Sequence, residues 1–107
     1  DTIIDPGAPI QLKGTVVRFD SPEESATPHG VLWVEAKSVE PATTPGARPG
    51  TMWRIAGFPG HVLQSRFWQG AEVTVNGFNV HDKSCEPACV MVGKQILNGF
   101  SNLSTAN

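Results

Sequence analysis

The stretch Gly57–Phe78, GFPGHVLQSRFWQGAEVTVNGF, decides the fold, because it reads as a short helix, a glycine stop and an alternating strand. Pro59 suits a first helical turn, where its missing N–H has no intrahelical role. Val62, Leu63 and Phe67 then share one helical face, with Leu63 and Phe67 at i, i+4 spacing, and Gln64, Ser65 and Gln69 take the other. Gly70 stands where a left-handed C′ residue ends a helix. A helix this short does not hold alone in water, so its apolar face must be buried against something else. The strand that follows alternates through Ala71, Val73 and Val75 and then changes parity at Gly77 to Phe78 and Val80, which predicts a strand bent at glycine.

Strand patterns lie on both sides of this segment. Ile10–Phe19 (IQLKGTVVRF) puts Ile10, Leu12 and Val16 on one parity and Val17 and Phe19 on the other, which predicts a bulge between Gly14 and Val17. Asp20–Gly30 reads as a polar loop whose acidic DSPEES portion is solvated. Val31–Ala36 is the second strand, with Leu32, Val34 and Ala36 inward and Trp33 partly outside. Lys37–Thr51 is too rich in Pro and Gly to be regular, and a loop of that length is expected to be functional or mobile. Thr51–Gly57 is the third strand, with Trp53 and Ile55 towards the core, and Cys89–Leu97 is the last. The order strand, strand, strand, helix, strand, strand, with bent first and fourth strands, is that of a five-stranded OB-fold-like Greek-key barrel. The rival arrangement is a small β-sandwich in which the helix is only a loop turn. Residues 1–9 read as a lead-in, 10–97 as the barrel domain and 98–107 as a polar tail.

With 107 residues, the chain is one domain. Eight Lys and Arg against ten Asp and Glu give a net charge of −2, which supplies no electrostatic footprint for nucleic acid or an anionic membrane. No apolar run is long enough to span a bilayer as a helix. A chain that opens on Asp1 rather than Met is expected to be processed or trimmed, which leans towards a periplasmic or secreted protein. The two cysteines, Cys85 and Cys89 in CEPAC, permit a disulfide in an oxidising compartment.

Taken in order, PIQLKGTVVRF, TPHGVLWVEA, MWRIAG, HVLQSRFWQGAEVTVNGF and the closing strand resemble a family of small exported bacterial proteins of unknown function. In that family a Pro-His pair leads the second strand, a Trp-bearing strand and a Leu-rich helix follow, and a GxxVxVxG-like segment forms the fourth strand. Pro28-His29, Trp53 and Gly70–Gly77 are the matching positions. Thr27 stands where the family has Asn, the Lys37–Thr51 loop is longer, and CEPAC is outside the pattern. The resemblance implies export and an OB-like barrel, and it brings no activity.

Three clusters could carry chemistry. His81, Cys85, Cys89 and Met91 are soft ligands for Cu(I), or for zinc if the thiols ionise, although their spacing fits no familiar site. The preferred reading of the same residues is a Cys85–Cys89 disulfide stapling a loop, with His81 and Met91 incidental, ahead of free thiols and of a metal site. His29 is a ligand, an acid/base group or a residue that orders its loop by a hydrogen bond to a carbonyl. Trp33 and Trp68 could offer an aromatic platform, whereas Trp53 reads as core. No paired-carboxylate, Ser/His/Asp or phosphate-loop pattern is present.

The first expectation is therefore an exported binding or accessory module with no cofactor, engaging a small ligand or another exported protein through His29, Trp33 and Arg54. The alternatives are a periplasmic copper or zinc binder using the His81–Met91 cluster, and a small enzyme or enzyme subunit with His29 as acid/base. Open barrel edges would allow a homo-oligomer.

Overall fold

A computed structural model of the chain describes residues 9–25, 30–57, 69–80, 85 and 87–98. The five strands are β1 (Pro9–Asp20), β2 (Val31–Glu40), β3 (Met52–Ala56), β4 (Glu72–Asn79) and β5 (Cys89–Asn98). They close into a barrel in the order β1-β2-β3-β5-β4, with β4 returning to β1. Four of the pairings are antiparallel and β3–β5 is parallel. This is the OB-fold-like Greek-key plan, and all five predicted strands are present. β1 is paired on both sides, so the barrel presents no open edge there.

Alternation builds the core. Ile10, Leu12 and Val16 of β1, Leu32, Val34 and Ala36 of β2, Trp53 and Ile55 of β3, Val73 and Val75 of β4, and Met91 and Ile96 of β5 are all buried together. Trp53 is the largest of the fully enclosed side chains. Phe19 packs on this cluster from its partly buried position near the end of β1. Among the described residues, no buried side-chain nitrogen or oxygen lacks a hydrogen-bond partner.

Three register shifts adjust the barrel. On β1, Val16 faces Val34 and Arg18 faces Trp33, so Val17 is the extra residue, inside the span expected to bulge. On β2, Lys13 faces Ser38 and Gly14 faces Ala36, so Lys37 is extra. On β5, Asn76 faces Gln95 and Gly77 faces Gly93, so Lys94 is extra. After each of the last two bulges the inward parity switches, and Val39 and Ile96 enter the core.

Two expectations are corrected here. β2 does not stop at Ala36 but runs through Glu40, because the Lys37 bulge restores an inward position to Val39. β4 does not change parity at Gly77, since Val73, Val75, Gly77 and Asn79 are all buried and Phe78 and Val80 are only half-buried. Gly77 is there because β5 passes too close for a side chain: a Cβ would collide with the Val92 carbonyl oxygen and stand 2.9 Å from Met91 Cε. The bend lies in the partner strand instead.

The acidic loop also holds a helical turn, α1 (Pro22–Ser25). Ser21 N–H donates to Glu24 Oε1 at 2.9 Å and Glu24 N–H donates to Ser21 Oγ at 3.2 Å, a reciprocal capping box. The helix expected from Pro59 to Gln69 falls almost wholly outside the described residues. So do residues 1–8 of the expected lead-in and 99–107 of the expected tail, whereas Pro9 and Asn98 belong to β1 and β5.

Candidate functional site

The register of β1, β2 and β3 lines up one row on the outer face of the barrel. Arg18 is the partner of Trp33, and Trp33 is the partner of Arg54. Trp33 is half-buried, as the alternation of β2 requires once Leu32 and Val34 point inward. Its indole N–H donates to Asp20 Oδ2 at 2.9 Å. Arg18 binds the same carboxylate, Nε to Oδ1 at 3.0 Å and Nη2 to Oδ2 at 3.2 Å. The Arg18 guanidinium carbon also stands 4.9 Å from the centre of the Trp33 ring, within cation–π range. Asp20 thus fixes both the plane of the indole and the cation above it.

The Val17 bulge contributes to this surface. With Val17 as the extra residue, neither Val17 nor Arg18 occupies a core position, and both line a shallow hollow of about 250 Å³ together with Trp33 and Met52. Arg54 is half-buried and forms no ion pair with any described residue. A half-buried arginine with no ion-pair partner among the described residues suits a carboxylate or phosphate group. The row therefore offers a planar apolar surface with two guanidinium groups beside it, Arg18 paired with Asp20 and Arg54 with no ion-pair partner among the described residues.

His29 and His81 lie outside the described residues, as does Trp68. Cys85 and Cys89 are joined as a disulfide. In that state neither sulfur is a thiolate, so ligation by the pair would require the reduced form. Met91 points into the core and is fully enclosed beside Trp53 and Ile55. Among the described residues, no group of three or more His, Cys, Asp or Glu is arranged to hold a metal ion.

The disulfide sits against the long second loop. Gly46 lies so close that a Cβ on it would collide with Cys89 Sγ and stand 3.0 Å from Cys85 Sγ. The Trp53 indole N–H donates to the Gly46 carbonyl at 3.2 Å. Thr44 is buried and donates its hydroxyl to Pro41 O at 2.6 Å. At the far end of the loop, Gly50 N–H donates to Ala36 O, and Ala36 N–H donates to Thr51 O, each at 2.8 Å. The loop is held at both ends and in its middle.

Reading the sequence alone singled out Trp33 and Arg54 but not Arg18, Asp20 or Met52. Arg18 and Asp20 are two apart on a strand and so share a face, which was a usable signal. Their relation to Trp33 depends on the Val17 bulge, which shifts the β1–β2 register by one.

No family model matches this chain, and neither a curated protein nor a solved structure is found to match it.

Proposed function

We propose that the protein is an exported binding module that engages an anionic ligand or partner group on the outer face of β1, β2 and β3. The observation that carries this reading is the row Arg18–Trp33–Arg54, in which a half-buried indole fixed by Asp20 stands beside a guanidinium with no ion-pair partner among the described residues. In OB-type barrels the face of strands two and three is a usual place for ligands, which supports the location. The overall acidity of the chain argues against a nucleic-acid ligand, and a single cationic point such as Arg54 suits a compact anion. The Cys85–Cys89 disulfide supports an oxidising compartment, and among the described residues no helix is long and apolar enough to cross a membrane.

The test is a heteronuclear NMR titration with benzoate, a planar carboxylate. The Trp33 indole N–H signal, assigned by its loss in Trp33→Phe, is expected to shift and saturate, and Arg54→Ala is expected to abolish the response. An indole signal that stays still, or a shift that Arg54→Ala leaves intact, would remove the reading.

A further inference from the structure

A second surface lies on β1, β4 and β5, away from the Trp33 row. Gln11, Asn76 and Gln95 are register partners across these three strands. Their side-chain amides form one directed chain: Gln11 Nε2 donates to Asn76 Oδ1 at 3.0 Å, and Asn76 Nδ2 donates to Gln95 Oε1 at 2.9 Å. Each amide has its plane set by its neighbour, yet each keeps hydrogen-bonding capacity to spare, because a primary amide carries two N–H donors and two acceptor lone pairs. Such a chain polarises its members and strengthens the groups at its ends.

Beside it runs an open groove of about 620 Å³, lined by Gln11, Glu40, Pro41, Asn76, Phe78 and Lys94 among others. That volume is within the range of small-molecule sites. Phe78 is half-buried and supplies an aromatic surface. Glu40 and Lys94 are exposed and form no ion pair with any described residue. Among the described lining residues, one acid and one base carry no net charge, so they select no strongly charged ligand.

Two of the bulges converge on this groove. On β5, Cys89, Met91 and Gly93 are inward, and unbroken alternation would send Gln95 inward as well; the extra Lys94 leaves both Lys94 and Gln95 outside. On β2, Val34 and Ala36 are inward, and unbroken alternation would bury Glu40; the extra Lys37 leaves it exposed. Register shifts that re-aim a polar side chain are a recurrent device beside binding sites.

We propose that this groove is a binding site for a neutral saccharide. Vicinal hydroxyls act as donor and acceptor together, which matches amides held in plane with a second N–H or lone pair to spare. The apolar C–H face of a pyranose matches a half-buried aromatic ring flanked by proline. Glu40 and Lys94 each add a strong hydrogen-bonding group at the rim without imposing a charge preference.

The test is an NMR titration of the intact, oxidised chain with maltotetraose, cellotetraose and triacetylchitotriose, following the side-chain amide signals of Gln11, Asn76 and Gln95. At least one of the three sugars is expected to shift these signals with a dissociation constant of about 1 mM or below. Asn76→Ala breaks the chain at its centre and is expected to weaken binding by about tenfold or more, the loss of one well-made hydrogen bond in a network. Gln95→Ala, at the exposed end, is a second variant that leaves the core untouched and should weaken binding in the same direction. Arg54→Ala should leave it unchanged, which separates this site from the Trp33 row. The proposal is overturned if none of the sugars moves the amide signals, or if both alanine variants bind as the parent does. It is equally overturned if the shifts appear at Trp33 instead, or if a neutral extended peptide moves the amides while the sugars do not.

Discussion

Trp53 on β3 and Cys89 on β5 are register partners across the parallel pair, both fully enclosed, and Gly46 of the long second loop is lodged against the two of them. This contact ties together segments that are distant in sequence: the β2–β3 loop, the third strand and the CEPAC connection. The loop is docked on the disulfide and on the largest core side chain, with the Trp53 indole N–H satisfied by the Gly46 carbonyl. A Pro- and Gly-rich loop is usually the loosest part of a small barrel, and here it closes over the core.

Gly46 is the position where that docking is most sensitive. It has φ of 85°, and a Cβ there would meet both sulfurs and Trp53 Cζ2. Gly50 in the same loop has φ of 92° but open space around it. Gly50→Ala should therefore cost only the left-handed backbone term, about 1 kcal/mol. Gly46→Ala adds a clash on top of that term and should cost about 3 kcal/mol. Urea midpoints of the two variants, at unchanged m-value, measure the difference. Equal losses would mean that the loop does not rest on the disulfide.

Reducing the Cys85–Cys89 bond should act on both loops. The bond closes a very short ring, so its contribution through the unfolded chain is at most about 2 kcal/mol. Its local effect should be larger than its global one, because the sulfurs support Gly46 from below. Hydrogen exchange is expected to accelerate first at the Ala47 amide, which donates to Thr44 O within the loop, while the amides of β1 and β4 keep their protection. A uniform acceleration across the barrel would show that the bond serves the whole fold and not the loop.

Asp20 makes two interactions that can be separated from stability. It accepts from the Trp33 indole and from Arg18, whose side chain is 60% exposed. Asp20→Ala should change stability by less than about 1 kcal/mol, because exposed ion pairs contribute little. The Trp33 indole N–H signal should nevertheless move and broaden as the ring loses its anchor. Benzoate affinity should change too, since Arg18 is released from its carboxylate. An unmoved indole signal would show that the ring is held by packing alone.

The strands were legible because their burial follows simple alternation: Leu32, Val34 and Ala36 against Trp33, or Val73 and Val75 against Thr74, announce an inner and an outer face. The Cys85–Cys89 pairing was legible from proximity alone. Less visible was anything that depends on a neighbouring strand. Gly77 looked like a bend because Phe78 and Val80 follow it, but its small size answers to the Val92 carbonyl of β5, which no local pattern reveals. Lys37 and Lys94 give no sign of being extra residues, since a bulge is defined by what stands opposite. The Arg18–Asp20–Trp33 arrangement was hidden for the same reason: it exists only in the register set by Val17. The capping box at Ser21 and Glu24 was within reach of sequence reading, for the S-x-x-E spacing is present, but the Pro and the acidic run resemble a solvated loop.

The Lys94 bulge offers the sharpest test of the register. Lys94 itself is exposed and has no ion pair among the described residues, so Lys94→Ala should alter stability by less than about 0.5 kcal/mol. Deleting Lys94 is a different perturbation, because it restores unbroken alternation from Cys89 onward. Gln95 would then be driven into the barrel and Ile96 out of it. Exposing Ile96 alone forfeits about 1.5–3 kcal/mol of apolar burial. Burying the Gln95 amide adds about 1–3 kcal/mol if its groups find no partner. The deletion should thus cost several kcal/mol where the alanine substitution costs almost nothing, as measured by denaturant unfolding. It should also erase the Asn76–Gln95 hydrogen bond, seen as loss of the distinct Asn76 side-chain amide signals. If the deletion were tolerated as well as the substitution, β5 would have to pair with β4 in another register, and Ile96 would not be the core residue that the bulge makes it.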